Sequence, residues 1–298
     1  MLLTLFSLAS LALAQQTDTT IAVEPGTRLS VNNYGGEVVV RAWAENRVRV
    51  RASHSSRTRV EIGRGSQSVT VRTEGYRGPP QLTDMEISVP RWMPLNLSGV
   101  YTHMTIEGMD ANVAAETVEG DVSLVGGTGA VTIKSVEGEV TVRGAKGRVD
   151  VGSIEGEIRI SETTAEIVAE TVDGDIILQG IDAPAVDANT VDGDIYYDGA
   201  IKNGGRYRFA SHDGDLTISV AERANVSVAV STFDGEFDAS FPVQITETRK
   251  RRFMFTIGNG SARLELETFD GDIRLRRPGQ ARPDRDQQMQ HDKRKHDE

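Results

Sequence analysis

The sequence predicts an all-β chain: a β-solenoid, parallel β-helix-like, made of two-strand repeats 18–21 residues long. The first observation is a motif that keeps returning. Thr117-Val118-Glu119-Gly120-Asp121-Val122-Ser123-Leu124 is rewritten as Ser135-Val136-Glu137-Gly138-Glu139-Val140, as Ser153-Ile154-Glu155-Gly156-Glu157-Ile158 and as Thr171-Val172-Asp173-Gly174-Asp175-Ile176. The second is its period. Further copies centre on Gly193, Gly214, Gly235 and Gly271, so the glycines are spaced 18, 18, 18, 19, 21, 21 and 36 apart. A fixed period of this size marks stacked turns, each burying the apolar face of its neighbour. The third is apolar alternation on both sides of each glycine, the period of a pleated strand.

Taken in order, Met1 to Leu13 is almost wholly apolar, and Ala12-Leu13-Ala14 supplies a small-x-small cleavage pattern before Gln15. Residues 1–14 are therefore expected to be a signal peptide, although the n-region carries no Lys or Arg. No other stretch reaches the ~18 apolar residues of a membrane-spanning helix, so no transmembrane segment is expected in the mature chain.

Residues 15–94 form an expected N-terminal β region holding the first repeat and a basic strand excursion. Counting from Gly36, Leu29, Val31, Val38 and Val40 hold the offsets that Val113, Ala115, Val122 and Leu124 hold about Gly120. A degenerate copy centres on Thr102, with Leu95, Leu97, Met104 and Ile106 in place. The chain is expected to leave the solenoid from about Trp43 to Pro90 and then resume it over 95–277. The 36-residue gap implies a second excursion at 240–258. There Val243-Gln244-Ile245 and Phe253-Met254-Phe255 flank Arg249-Lys250-Arg251-Arg252 and read as a hairpin projecting from the rod. Residues 278–298, almost without apolar side chains, are expected to be a disordered charged tail.

Within a repeat, the alternation changes parity between the third and second residues before the glycine. A bend is needed there, and the glycine offers a missing Cβ. Val118, Val136, Ile154, Val172 and Val191 should then stack as one apolar column of a thin buried core, with His212 interrupting it and Phe233 and Phe269 restoring it. Eight to ten turns at ~4.8 Å would make a rod roughly 40–50 Å long.

The bulk chemistry excludes several functions. Net charge is −11 with a pI near 5.1, which argues against nucleic acid as a partner. There is no cysteine, hence no disulfide framework, thiolate metal site or cysteine nucleophile. His54, His103 and His212 are scattered, with no metal-ligand spacing.

Stacked acid-Gly-acid corners place two columns of carboxylates along the rod. Hard oxygen ligands about 5 Å apart could recruit Ca²⁺, and Asp173, Asp175, Asp192 and Asp194 are the candidate ligands. The plainer reading is that these acids are solvated turn residues that bond backbone N–H groups and keep an edge soluble. It is preferred because Asp and Glu interchange and the nonapeptide spacing of Ca²⁺-binding β-rolls is missing. No cofactor is expected. The hydroxyl column (Thr117, Ser135, Ser153, Thr171, Thr190, Ser211, Thr232, Thr268) reads as a ladder bonding backbone, since a nucleophile repeated on every turn has no base to activate it.

The first excursion is rich in arginine, including Arg47, Arg49 and Arg51. With Arg249, Lys250, Arg251 and Arg252 it would place positive protrusions on a negative rod. These seven residues are the binding candidates, either for an anionic envelope partner or merely as charged edge strands that resist aggregation.

The repeated Val-Asp/Glu-Gly-Asp/Glu-Ile-x-Leu units and the closing Gly260–Ile273 segment resemble the bacterial DUF4097 family, over roughly Leu29 to Leu275. Its members are β-strand-repeat proteins labelled adhesin-like and similar to the toastrack domains of envelope-stress proteins. The resemblance implies a location and a class and brings no catalytic residues with it. Together with the residues it gives the expected function: an exported, non-enzymatic module for binding or scaffolding in the envelope, with an envelope glycan or protein as partner. The place would be the periplasm, the cell surface or the extracellular space. The alternatives are an envelope-stress sensing partner domain and a Ca²⁺-dependent polysaccharide-acting β-helix enzyme.

Overall fold

Alternating Val, Ile and Leu on either side of a glycine make two short walls joined at a corner, and the chain lays one such corner on the next. A computed structural model describes residues 15–249 and 252–279, and among these all regular structure is strand. The expected signal peptide, Lys250, Arg251 and the tail from 280 onward lie outside the described residues.

The central turns stack in parallel without a register slip at the corner. Val113–Glu119 pairs with Ala130–Glu137, which pairs with Arg148–Gly152. After the corner, Val122–Val125, Val140–Arg143 and Ile158–Ser161 pair in the same order. Two parallel sheets result, one built from the strands before each glycine and one from the strands after it. Val131 and Ile133 of the first sheet and Val140 and Val142 of the second are fully buried, and equivalent residues are buried on the other turns except the Gly235 turn, where Phe237 and Ala239 are half-buried. One apolar core runs from Val23 to Leu275. Parallel stacking leaves both wall interiors dry, so the strands need an apolar residue only at every second position.

Both ends of the stack depart from chain order. The turn at Gly36 lies against the turn at Thr102, as expected. Its other side is covered by Ser68–Gly75 and Asp84–Pro90, with Val69 opposite Leu29 and Met85 opposite Val38. The expected excursion from Trp43 to Pro90 therefore contains a further parallel turn whose corner is replaced by the loop 76–83. Its outer edges are closed by antiparallel strands: Thr58–Arg64 on one wall, then Arg47–His54 and Gln15–Ala22 on the other.

The C-terminal end is threaded in the same manner. Ala262–Asp270 pairs with Arg206–Asp213 on one side and with Val226–Asp234 on the other. The last repeat in the chain is thus the next-to-last turn in space, inserted between the Gly214 and Gly235 turns. The 240–258 hairpin does not project. Arg252–Ile257 adds antiparallel to Val226–Asp234, and Phe253 and Phe255 pack on Phe237. An apolar face on the terminal strand must be covered, which is why this hairpin carries the aromatic residues Phe253 and Phe255.

The column expected to lie in the core is on the outside. Val118, Val136, Ile154, Val172 and Val191 are 36–48% exposed, while the hydroxyl residue just before each is buried. The parity change lies later than expected, across the acid-Gly-acid corner itself. Four residues, Val118 to Asp121 in one turn, separate the buried Thr117 from the buried Val122, because the small hydroxyl side chain, and not the large apolar one, fits beneath the bend. His212 does not interrupt the column: it stacks on Phe269 at 4.9 Å, and Phe269 stacks on Phe233 at 4.6 Å.

Candidate functional site

The repeated corner is the most chemically dense feature, and its polar groups are largely committed to the backbone. From Gly120 to Gly193 each corner glycine donates its N–H to the carbonyl of the acid before the next glycine, as in Gly156 N to Asp173 O at 2.9 Å and Gly193 N to Asp213 O at 2.9 Å. Gly156 has φ of +147°, and a Cβ there would fall under 3.0 Å from the Gly138 carbonyl oxygen. Close approach and backbone conformation both demand glycine.

The hydroxyls donate to the corner carbonyl of the neighbouring turn: Thr190 Oγ1 to Gly174 O at 3.1 Å, Ser211 Oγ to Gly193 O at 3.0 Å and Thr268 Oγ1 to Gly214 O at 3.0 Å. These three donate to backbone as expected, whereas Ser135 and Ser153 of the same column are buried with no hydrogen-bond partner among the described residues.

The two acid columns differ, and Asp and Glu are not interchangeable in the second. Asp175 Oδ1 accepts the N–H of Asp194 at 2.9 Å, and Asp194 Oδ1 accepts that of Asp215 at 2.9 Å. Asp215 and Asp272 continue the ladder to Asp272 N and Glu236 N at 2.8 and 2.9 Å. The shorter aspartate side chain reaches the amide one turn away. Arg274 also pairs with Asp215 and Asp272, and Arg159 with Glu139 and Glu157.

The first column, which includes Asp173 and Asp192, bridges through its backbone and leaves its carboxylates in water. Among the described residues no group of three or more His, Asp or Glu side chains is placed to hold a metal ion. The donor set offered by Asp173, Asp175, Asp192 and Asp194 does not converge, and one oxygen of Asp175 and one of Asp194 already hold a backbone amide.

The arginine candidates stand side by side but are not bare. Arg47, Arg49 and Arg51 share the exposed face of Arg47–His54. Arg49 makes a fork with Asp18 at 2.9 and 2.6 Å, Arg51 pairs with Glu86 and Arg47 with Glu45. Each of these three arginines is therefore paired with an acid, Asp18 and Glu86 on the flanking strands and Glu45 in the preceding turn. Asp18 and Glu86 went unnoticed because they are distant in sequence; only the antiparallel pairing places them beside the arginines. Hydrogen bonding to Arg49 holds the Asp18 carboxyl below its ordinary value, and Asp110 is lowered in the same way by Arg91. Arg57, Arg64, Arg72 and Arg77 are exposed. The backbone of Arg249 pairs with that of Arg252 next to the hairpin tip, with Lys250 and Arg251 outside the described residues.

At the far wall, burial raises the Tyr197 hydroxyl strongly, and Tyr207 is raised for the same reason. Both donate to backbone carbonyls, Tyr197 to Ala200 at 3.1 Å and Tyr207 to Ala183 at 2.8 Å, so they fill the wide turn and do not serve as acids. No helix among the described residues is long and apolar enough to cross a membrane.

Comparison with known proteins fits this geometry. The family described as Toastrack DUF4097 matches residues 15–276. The chain belongs to that family. The toastrack match covers the capped N-terminal end, the central turns and the threaded last repeat alike. No curated protein matches the chain. Among solved structures, a "putative adhesin" from Parabacteroides distasonis ATCC 8503 is 13% identical with a TM-score of 0.48, covering 89% of this chain and 98% of that one. A "putative lipid binding protein" from the same organism is 8% identical with a TM-score of 0.47, covering 88% and 97%. A "putative adhesin" from Parabacteroides merdae ATCC 43184 is 11% identical with a TM-score of 0.31, covering 88% and 97%. Likenesses this distant assign no ligand to the toastrack chain.

Proposed function

We propose that the protein is an exported, non-enzymatic module that presents a long, repetitive surface for binding or scaffolding in the bacterial cell envelope. The observation that carries this reading is the uniformity of the turns. From Gly120 to Gly193 every corner spends its glycine N–H on its neighbour, and every one offers water the same pair of side chains, one apolar and one acidic. Catalysis needs a local exception where a base, a nucleophile and a water-excluding cleft converge. A ladder with one identical rung per turn suits an elongated partner or a multivalent one.

The test is a binding screen of the mature chain against immobilised peptidoglycan, anionic cell-wall polymers and vesicles, run beside pull-down from solubilised envelope fractions. Saturable retention of an envelope component supports the reading. Turnover of a polysaccharide in the same screen would overturn it.

A further inference from the structure

We infer that the exposed apolar column along the corner is a docking track for a basic amphipathic α-helix of a partner protein. This rests on the binding-module reading and gives it a ligand class.

The track is built one residue per turn. Val118, Ile154 and Val191 are 43%, 48% and 48% exposed, and at the wider end His212, Phe269 and Phe233 stack face to face with the two phenylalanines 47% and 52% exposed. The column is held in line by backbone bonds from the following acid: Glu155 N to Val136 O at 2.7 Å, then Asp173 N to Ile154 O and Asp192 N to Val172 O at 2.8 Å. A continuous apolar row of this length on a chain with net charge −11 is the kind of surface that marks an interaction site. Beside the aromatic end lies a shallow groove lined by Arg208, Ser211, His212, Glu267 and Phe269.

Charge selects the partner. The residue after each rung is an exposed carboxylate, and no ion-pair partner is found for Glu119, Glu137, Glu155, Asp173, Asp192 or Asp213 among the described residues. The acids two positions further on are treated differently, several being paired with Arg159 or Arg274. An apolar row bordered by unpaired carboxylates suits apolar side chains flanked by Lys or Arg. It repels a second copy of the same face, since carboxylate would meet carboxylate.

Pitch selects the conformation. Rungs on stacked parallel strands repeat every ~4.8 Å, and the apolar stripe of an α-helix repeats every ~5.4 Å, so the mismatch is only about 0.6 Å per turn. Over five rungs it accumulates to roughly 2.4 Å, within the reach of side-chain adjustment. An extended strand repeats its same-face side chains every ~6.7 Å and loses register by about 2 Å at each step. A helix of about 15 residues therefore matches the track where a strand does not.

The test uses the full mature chain and two fluorescent peptides of identical Leu and Lys content, one with Leu at helical spacing and one with strict alternation. The helical-period peptide should bind more tightly, gain helical circular dichroism on binding and weaken as salt is raised. Ile154→Ser with Val172→Ser should weaken it roughly tenfold or more by removing apolar contact, and Asp173→Asn with Asp192→Asn should reduce its salt dependence. Asp150→Asn with Asp198→Asn removes equal charge away from the track and should leave binding within about twofold. Thermal melting confirms that each variant is folded. Preference for the alternating peptide would overturn the helical partner. Equal loss in the track and control charge variants, with no loss in the serine variant, would show non-specific attraction and overturn the track. Absence of peptide binding together with retained envelope binding would overturn this inference and leave the binding-module reading in place.

Discussion

Gly271 sits directly on Gly214, although 57 residues separate the two corners in the chain. Asp272 N donates to Asp215 Oδ1 across that contact at 2.8 Å, and a Cβ on Gly271 would fall under 3.0 Å from the Gly214 carbonyl oxygen. The final repeat is an internal turn, and the Gly235 turn with its hairpin is the true end of the stack.

Threading makes truncation cooperative. In a solenoid stacked in chain order, removing the last repeat trims one end. Here, ending the chain after residue 258 removes the strands that join Arg206–Asp213 to Val226–Asp234. Hydrogen exchange should show protection lost across 226–257 while the turns from 113 to 199 stay protected. Loss confined to the new terminus would contradict the insertion.

The corner glycines should be far less tolerant than the glycines of the opposite bend. Gly156→Ala places a Cβ against a backbone carbonyl, and should cost about 3 kcal/mol or more in urea unfolding. Gly144→Ala meets nothing within 4 Å at φ of +70°, and should cost only about 1 kcal/mol.

Buried hydroxyls provide a contrast inside one column. Thr190→Val removes a donor to Gly174 O and should cost about 1 kcal/mol. Ser153 Oγ is buried without a hydrogen-bond partner among the described residues, so Ser153→Ala should be neutral or stabilising. Chemical denaturation of the two variants side by side checks both signs.

The aspartate ladder predicts that length matters more than charge. Asp194→Asn keeps an oxygen for Asp215 N, whereas Asp194→Glu keeps the charge but moves the oxygen away. The glutamate variant should be the less stable of the two by about 1 kcal/mol.

Acid should weaken the N-terminal cap. The Asp18 carboxyl is lowered in the fold from its ordinary 3.8 by Arg49. Its contribution is therefore complete above the unfolded-state value and is lost as pH falls through the lower folded one. The stability difference between wild type and Asp18→Asn should be flat above about pH 5 and shrink below about pH 4. Added salt should shrink it at every pH, since the pair is exposed.

Much of this fold was legible because stacking repeats its own sequence. The offsets of Val131, Ile133, Val140 and Val142 about Gly138 gave the walls, the corner and the parallel register. Three things were not legible. Whether Thr117 or Val118 lies beneath the bend depends on the size of the space there, which alternation does not encode. The insertion of the last turn leaves no local mark, because Gly271 carries the same motif whether its neighbour is Gly235 or Gly214. The neutralisation of Arg49 and Arg51 depends on Asp18 and Glu86, which reach them only through strands that pair at long range.

With its amides, hydroxyls and aspartates bonded to the next turn, the acid-Gly-acid corner is a structural joint, and its carboxylates are not expected to hold a metal ion. Calorimetric melting of the full chain with and without millimolar Ca²⁺ checks this. Superimposable transitions are expected, because the oxygens of Asp173, Asp175, Asp192 and Asp194 do not converge and two of them already hold backbone amides. A saturable rise in melting temperature, abolished by Asp173→Asn with Asp192→Asn, would contradict it.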